Sequence, residues 1–235
     1  MKKTILLVLA FSLMLSTIGA NAQSLKNFLS QDEIGKGLKE ALEHGIENQV
    51  SKLTAEDGFF KNELVKILLP GDLKKVDKRL RRLGLGNLAD EGLLLLNRAA
   101  EDAVKTATPI FMNAIKNITF DDAKKILMGE KDAATTYLKN GTSASLYKEF
   151  NPVIQQSFEK VGADQIWSQL IAKYNELPFV KKVNPDLTDY VTQETLKGVF
   201  TMIAVEEEGI REKIGLRDTD LLKKVFSLQD ILSKN

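Results

Sequence analysis

Cysteine is absent from this chain of 235 residues, and histidine and tryptophan occur once each. Without cysteine no disulfide can staple the fold, so it must rest on its core, and 43% hydrophobic residues are enough to build one. The same absence removes thiol nucleophiles and zinc–thiolate sites. The lone histidine, His44, lies between Glu43 and Gly45 inside a helical pattern. A Ser-His-acid triad would have to use it, yet no Gly-x-Ser-x-Gly elbow accompanies it. Di-iron bundles bring a histidine from each of two helices, which one histidine cannot supply. A structural histidine, facing solvent or half-buried, is expected there. No calcium loop closes either: "NPDLTDYVTQET" has Thr195 where the bidentate glutamate belongs. No metal and no cofactor is expected.

An excess of charge of one sign is also missing. The chain has 33 Lys+Arg against 32 Asp+Glu. The one basic stretch, "LKKVDKRLRRLG" (73–84), sits beside Asp72 and includes Asp77, and reads as a solvated helix face. Nothing resembles the electrostatic footprint of a nucleic-acid binder, so no nucleic-acid partner is expected.

The longest apolar run lies at the start. Lys2 and Lys3 precede "TILLVLAFSLMLSTIG", and "ANA" at 20–22 gives the small-x-small pattern of a secretory cleavage site. The run is short for a membrane span, which needs about 20 apolar residues. A signal peptide over 1–22, cleaved after Ala22, is therefore expected, with export to the periplasm and no transmembrane span in the mature chain. Losing Lys2 and Lys3 takes Lys+Arg from 33 to 31 against 32 acids, a mature net charge of −1.

Sustained β alternation and Gly- or Ser-rich linkers are lacking, and almost every segment repeats at helical spacing. Residues 23–235 are expected to form one all-α domain, a compact bundle of about eight to ten helices without significant sheet. Ser30 and Glu33 form a capping-box pattern, as do Thr119 and Asp122. Leu93, Leu96, Ala100, Ala103, Ala107, Ile110 and Ala114 step along one helix face that Pro109 is expected to kink. "DAATTYLKN" and "SASLYKEFNPVIQQSFEKVG" read as two helices stopped by Gly141 and Gly162. "ADQIWSQLIAKYNEL", "VTQETLKGVFTMIAVEEEGIREK" and "TDLLKKVFSLQDIL" supply further helices.

Short motifs are decoys. "GLGNLA" (84–89) matches a relaxed dinucleotide fingerprint but follows a helix pattern instead of a strand. "SLYK" and "SFEK" share the Ser-x-x-Lys spacing, with no Lys-Thr-Gly partner. "NIT" at 117 and "NGT" at 140 read as cap and turn residues. What remains is acid–arginine chemistry: Asn97 and Glu101 are four apart, as are Arg98 and Asp102, and Glu206 to Glu208 precede Arg211. Carboxylates can do acid–base work, but they equally hold helices through arginine forks.

"GLGNLADEGLLLLNRAAEDAVKTATPIF", "DAKKILMGEKDAATTYL", "DYVT" and "IREKIGLRDTDLLKKVF" together resemble a family of exported bacterial proteins catalogued as domain of unknown function 4197. The resemblance runs from about Leu38 to Phe226. It implies a periplasmic, largely helical protein of Gram-negative bacteria, and neither an activity nor functional residues. Polar residues in or beside these segments, next to apolar faces, are the candidate network: Asn97, Arg98, Glu101, Tyr137, Tyr190, Glu206, Glu207, Arg211, Arg217 and Asp220. They are expected to converge between the helices near 98 and 207, because unpaired buried charges cost several kcal/mol each. Catalytic residues are not assigned. The preferred function is a non-enzymatic binding or interaction protein, for a lipid or small apolar ligand between kinked helices. The alternatives are a carboxylate-dependent hydrolase or lyase, and an envelope structural partner.

Overall fold

A computed structural model describes residues 30–69, 81–82, 86–163, 186–217 and 219–232, with scattered positions between 164 and 185. Helix is the only regular structure among them. Seven α-helices are described, against the eight to ten expected: α1 Gln31–Thr54, α2 Gly86–Val104, α3 Ala107–Lys116, α4 Phe120–Leu127, α5 Ala133–Glu159, α6 Leu187–Glu212 and α7 Asp220–Leu232. A 3-10 turn, Ile214–Leu216, joins α6 to α7. The segment 1–22 expected to be a signal peptide, most of the basic stretch 73–84 and most of "ADQIWSQLIAKYNEL" lie outside the described residues. No described helix is long and apolar enough to cross a membrane.

The helix starts follow local chemistry. Ser30 caps α1 and Thr119 caps α4, each by a reciprocal capping box with Glu33 or Asp122. Two expectations at helix junctions are corrected. Pro109 does not kink a continuous helix; the chain breaks at Lys105–Thr106, and Pro109 falls in the first turn of α3, where its missing N–H costs nothing. Gly141 does not stop a helix; α5 runs through it for 27 residues. Leu138, Thr142, Leu146, Phe150, Ile154 and Phe158 recur every four residues and are all buried. That seam outweighs the ~1 kcal/mol that an interior glycine costs. Gly162, at φ 66°, takes the left-handed conformation just past the end of α5.

The long helix α5 pairs most extensively with α6, and also packs on α2, α3 and α4. On the other side α1 touches α2, α3, α4, α6 and α7. Their shared core includes Phe111 edge-on to Phe200, ring centroids 6.0 Å apart. Helix spacing is set in part by glycine. A Cβ on Gly37 would meet Val225 Cγ2 of α7 at 2.6 Å, whereas one on Gly45 would meet Glu206 Cγ at 3.5 Å and Ile210 Cδ1 at 4.0 Å, ordinary contacts. Gly45→Ala should therefore stabilise the protein by ~0.5–1 kcal/mol. Gly37→Ala should destabilise it by ~1–3 kcal/mol through overpacking. Paired urea titrations of the two variants check this opposition of sign.

Glu33 also ties α1 to α7, accepting from Lys224 Nζ at 3.1 Å. The Ser30 backbone N–H, and then Lys224, hold its carboxyl well down, from 4.5 to about 2. A depressed carboxyl stabilises the fold above its unfolded value and loses that contribution as pH falls through its folded one. The stability difference between wild type and Glu33→Gln should thus be full at pH 7, shrink from about pH 4.5 and be lost only as pH falls through about 2. Chemical unfolding at stepped pH reads it directly.

Candidate functional site

Hydrogen bonding sorts most of the ten candidate residues into two sets instead of one. The first set clamps the irregular segment 55–69, which follows α1 and pushes Phe59, Val65 and Ile67 into the core. Buried irregular backbone needs partners for its N–H and C=O groups, and side chains provide them. Asn97, fully buried in α2, accepts from Ile67 N at 2.8 Å and donates back to Ile67 O at 3.0 Å, its other amide proton reaching Leu93 O at 2.7 Å. Glu101 Oε1 accepts from Phe59 N at 3.0 Å, and its other oxygen takes Arg98 Nη1 at 2.6 Å. Arg98 Nη2 continues to Asp57 Oδ1 at 2.7 Å and Glu56 Oε1 at 3.3 Å. Asp57 sits at φ 67°, a left-handed conformation that aspartate tolerates better than most residues. Lys61 first, and then Arg98, hold its carboxyl below the usual range. Tyr190 of α6 closes the clamp, donating to Leu68 O at 2.6 Å; burial pushes its hydroxyl up to about 12.

The second set binds helix ends. Glu207 caps α5 from a distance in sequence: its carboxylate accepts from Ala134 N at 2.9 Å, Thr135 N at 2.8 Å and Thr135 Oγ1 at 2.8 Å. The residue at the local cap position, Asp132, makes no capping bond of its own. Arg211, one turn on, uses its whole fork. Nε and Nη2 hold Glu207 Oε1, Nη2 and Nη1 reach Ile126 O and Leu127 O at the end of α4, and Nη1 donates to Gln229. Arg217, 2% exposed, donates to Ile210 O and Arg211 O at the end of α6 and forks onto Asp230 at 2.6 and 2.9 Å. A positive fork on the last carbonyls of a helix satisfies orphan acceptors and complements the helix dipole.

Three candidates stand apart from both sets. Glu206 accepts from Gln49 Nε2 at 2.6 Å, a partner the sequence reading missed. Tyr137 points its hydroxyl at Asp122, at 3.5 Å. Asp220 is fully exposed and, among the described residues, pairs with Lys223 three positions on. The partners Gln49, Asp57, Thr135 and Asp230 were not singled out either; each acts through a contact distant in sequence, which no spacing rule reports.

The buried acids of these sets do not face one another across open space; each is used by arginine and backbone N–H groups. Among the described residues no group of three acids or histidines is placed to hold a metal ion. The apolar cavity between α1, α6 and α7 has a volume of only about 30 Å³, against the ~300–1,000 Å³ of a small-molecule site. A lipid does not fit it. A far wider recess is an open groove of about 740 Å³ between α3 and α5. It continues into smaller recesses at both ends, sharing Pro109, Ile110 and Ser145 with one, and Tyr137 and Asn140 with the other.

Fold and site thus define an all-helical protein whose buried charges lock helix ends and one irregular segment. The chain belongs to the family described as "Protein of unknown function (DUF4197)", whose model matches residues 28–227. Neither a curated protein nor a solved structure matches it.

Proposed function

We propose that this chain is an exported, non-enzymatic binding protein acting in the periplasm, with its ligand in the groove between α3 and α5. The observation that supports this reading is the division of labour on the surface. The buried charged residues are engaged in fold-locking bonds, while the groove between α3 and α5 is lined by uncharged groups such as Asn113, Asn117, Asn140 and Ser145. A carboxylate-dependent hydrolase needs two acids facing each other in a cleft, and Glu101 and Glu207 are occupied elsewhere. The exposed amides and hydroxyl of the groove, beside its aliphatic α3 wall, support an uncharged, partly polar ligand. The export part rests on the sequence pattern at 1–22.

Native mass spectrometry of protein taken from the periplasm without detergent tests both parts. The expected spectrum begins at Gln23 and carries a reproducible added mass. Retention of residues 1–22 in the cytoplasmic fraction would overturn the export reading. A bare mass from 23 to 235 under every gentle condition would count against a resident ligand.

A further inference from the structure

Resting on the binding-protein reading, we infer that the groove between α3 and α5 is a site for an uncharged oligosaccharide, read by Asn113, Asn140 and Ser145 over a floor opened by Gly141. The central recess holds no charged side chain among its ten lining residues. Cations and anions occur only towards its ends and together, Lys125 with Asp122 and Glu130, Lys148 with Glu149. An anionic ligand such as a phosphate would find no unopposed cation there. Asn113 on the α3 wall and Asn140 and Ser145 on the α5 wall all line the groove, and all three are exposed. None of these three side chains hydrogen-bonds to another described residue, so their donors and acceptors are turned outward. An amide offers donor and acceptor side by side, which suits adjacent hydroxyls or an acetamido group on a sugar ring. The half-buried Tyr137 adds a ring flank of the kind that packs on the C–H face of a sugar.

Gly141 carries the geometric part. A glycine inside a helix costs ~1 kcal/mol relative to alanine. At Gly37 and Gly198 the missing Cβ makes room for Val225 and for Phe59, so the fold itself uses the space. At Gly141 a Cβ would meet nothing within 4 Å, and the residue is exposed in the groove. Helical Gly35 and Gly92 are equally open, but of the three only Gly141 lines the groove, where its clearance lies along the path a ligand on α5 would take. From Asp132 to Glu149 the groove follows α5 for ~25 Å at 1.5 Å per residue, enough for several sugar rings.

Peptide ligands fit less well. Both walls are helices whose backbone groups are used internally, so there is no strand edge to extend, and a docking helix needs an apolar groove. The aliphatic groups here, Pro109, Ile110 and Ala114, all lie on the α3 wall, while the α5 wall is Tyr137, Asn140, Gly141, Thr142 and Ser145.

The test titrates the full mature chain with tetramers of N-acetylglucosamine, glucose and galactose, followed by backbone amide NMR. At least one tetramer should give saturable shifts centred on Asn113, Asn140, Gly141 and Ser145. Gly141→Leu should weaken that binding at least tenfold while leaving the far-ultraviolet circular dichroism unchanged, since its side chain enters open space. Asn140→Ala, which cannot block the groove, should weaken it several-fold. No saturable shift with any tetramer, or binding undiminished in Gly141→Leu, would overturn the proposal. A neutral peptide that shifted these residues where sugars did not would overturn the sugar class and leave the binding-protein reading standing. A bare native mass together with a silent groove would remove both.

Discussion

Glu207→Ala is expected to cost the fold ~3–5 kcal/mol, the range for breaking a buried ion pair from one side. Three losses coincide in this one change. Arg211, only 6% exposed, keeps its charge but loses the carboxylate that takes its Nε and Nη2. The N–H groups of Ala134 and Thr135 at the start of α5 lose their acceptor, and Asp132 makes no capping bond that would replace it. The buried Thr135 hydroxyl loses its partner as well. Against a typical total stability of ~5–15 kcal/mol, such a loss leaves a marginal protein. Urea titration should show a much lower midpoint with an unchanged slope, and amide exchange should quicken first at Ala134 and Thr135. Arg211→Lys should not be benign. One ammonium has three donors, and it cannot hold Glu207, Ile126 O, Leu127 O and Gln229 together. A Glu207→Ala protein within 1 kcal/mol of wild type would show that the pair is dispensable.

Asn97→Ala is expected to cost ~2–5 kcal/mol and, unlike Glu207→Ala, to act locally first. It strands both the N–H and the C=O of Ile67, each pairing with Asn97 at 3.0 Å or less. A buried polar group left unmade costs ~1–3 kcal/mol. Ile67 is 1% exposed, so water cannot reach it without moving the segment. Hydrogen exchange should reveal this as lost protection at Ile67 and its neighbours, while amides along the buried seam of α5 stay protected. Asn97→Asp is nearly isosteric yet should do no better, because its carboxylate would face the carbonyls of Ile67 and Leu93 to which the amide now donates. Uniform loss of protection across the whole protein in Asn97→Ala would argue against a separately latched segment.

The sequence and the structure agree where an interaction is short in chain distance. Ser30 with Glu33 and Thr119 with Asp122 could be read directly, because a capping box closes within one turn and needs nothing else. The helical class was equally legible, since the 3.6-residue period of the apolar groups is local. Pro109 and Gly141 misled for opposite reasons. Proline inside an apolar stripe suggested a kink, but a helix can simply begin at that point, two residues earlier, with the proline in its first turn. Glycine suggested a stop, but the seam from Leu138 to Phe158 packs on both sides of it and holds the helix together.

The candidate network was legible as a composition and not as a geometry. Polar residues beside apolar faces had to be paired or solvated, which singled out Asn97, Arg98, Glu101, Glu207, Arg211 and Arg217. The partners they took could not be read, because Glu207 reaches back to Thr135 and Arg211 to Ile126, far along the chain. Sequence alone determined the helical class and the family, through patterns that repeat within a turn or persist along the chain. Tertiary structure alone decided which end each charge locks and which recess stays open. Burial forces every stranded carbonyl and N–H to find a partner in space, and the packed chain chooses that partner with no regard to distance in sequence.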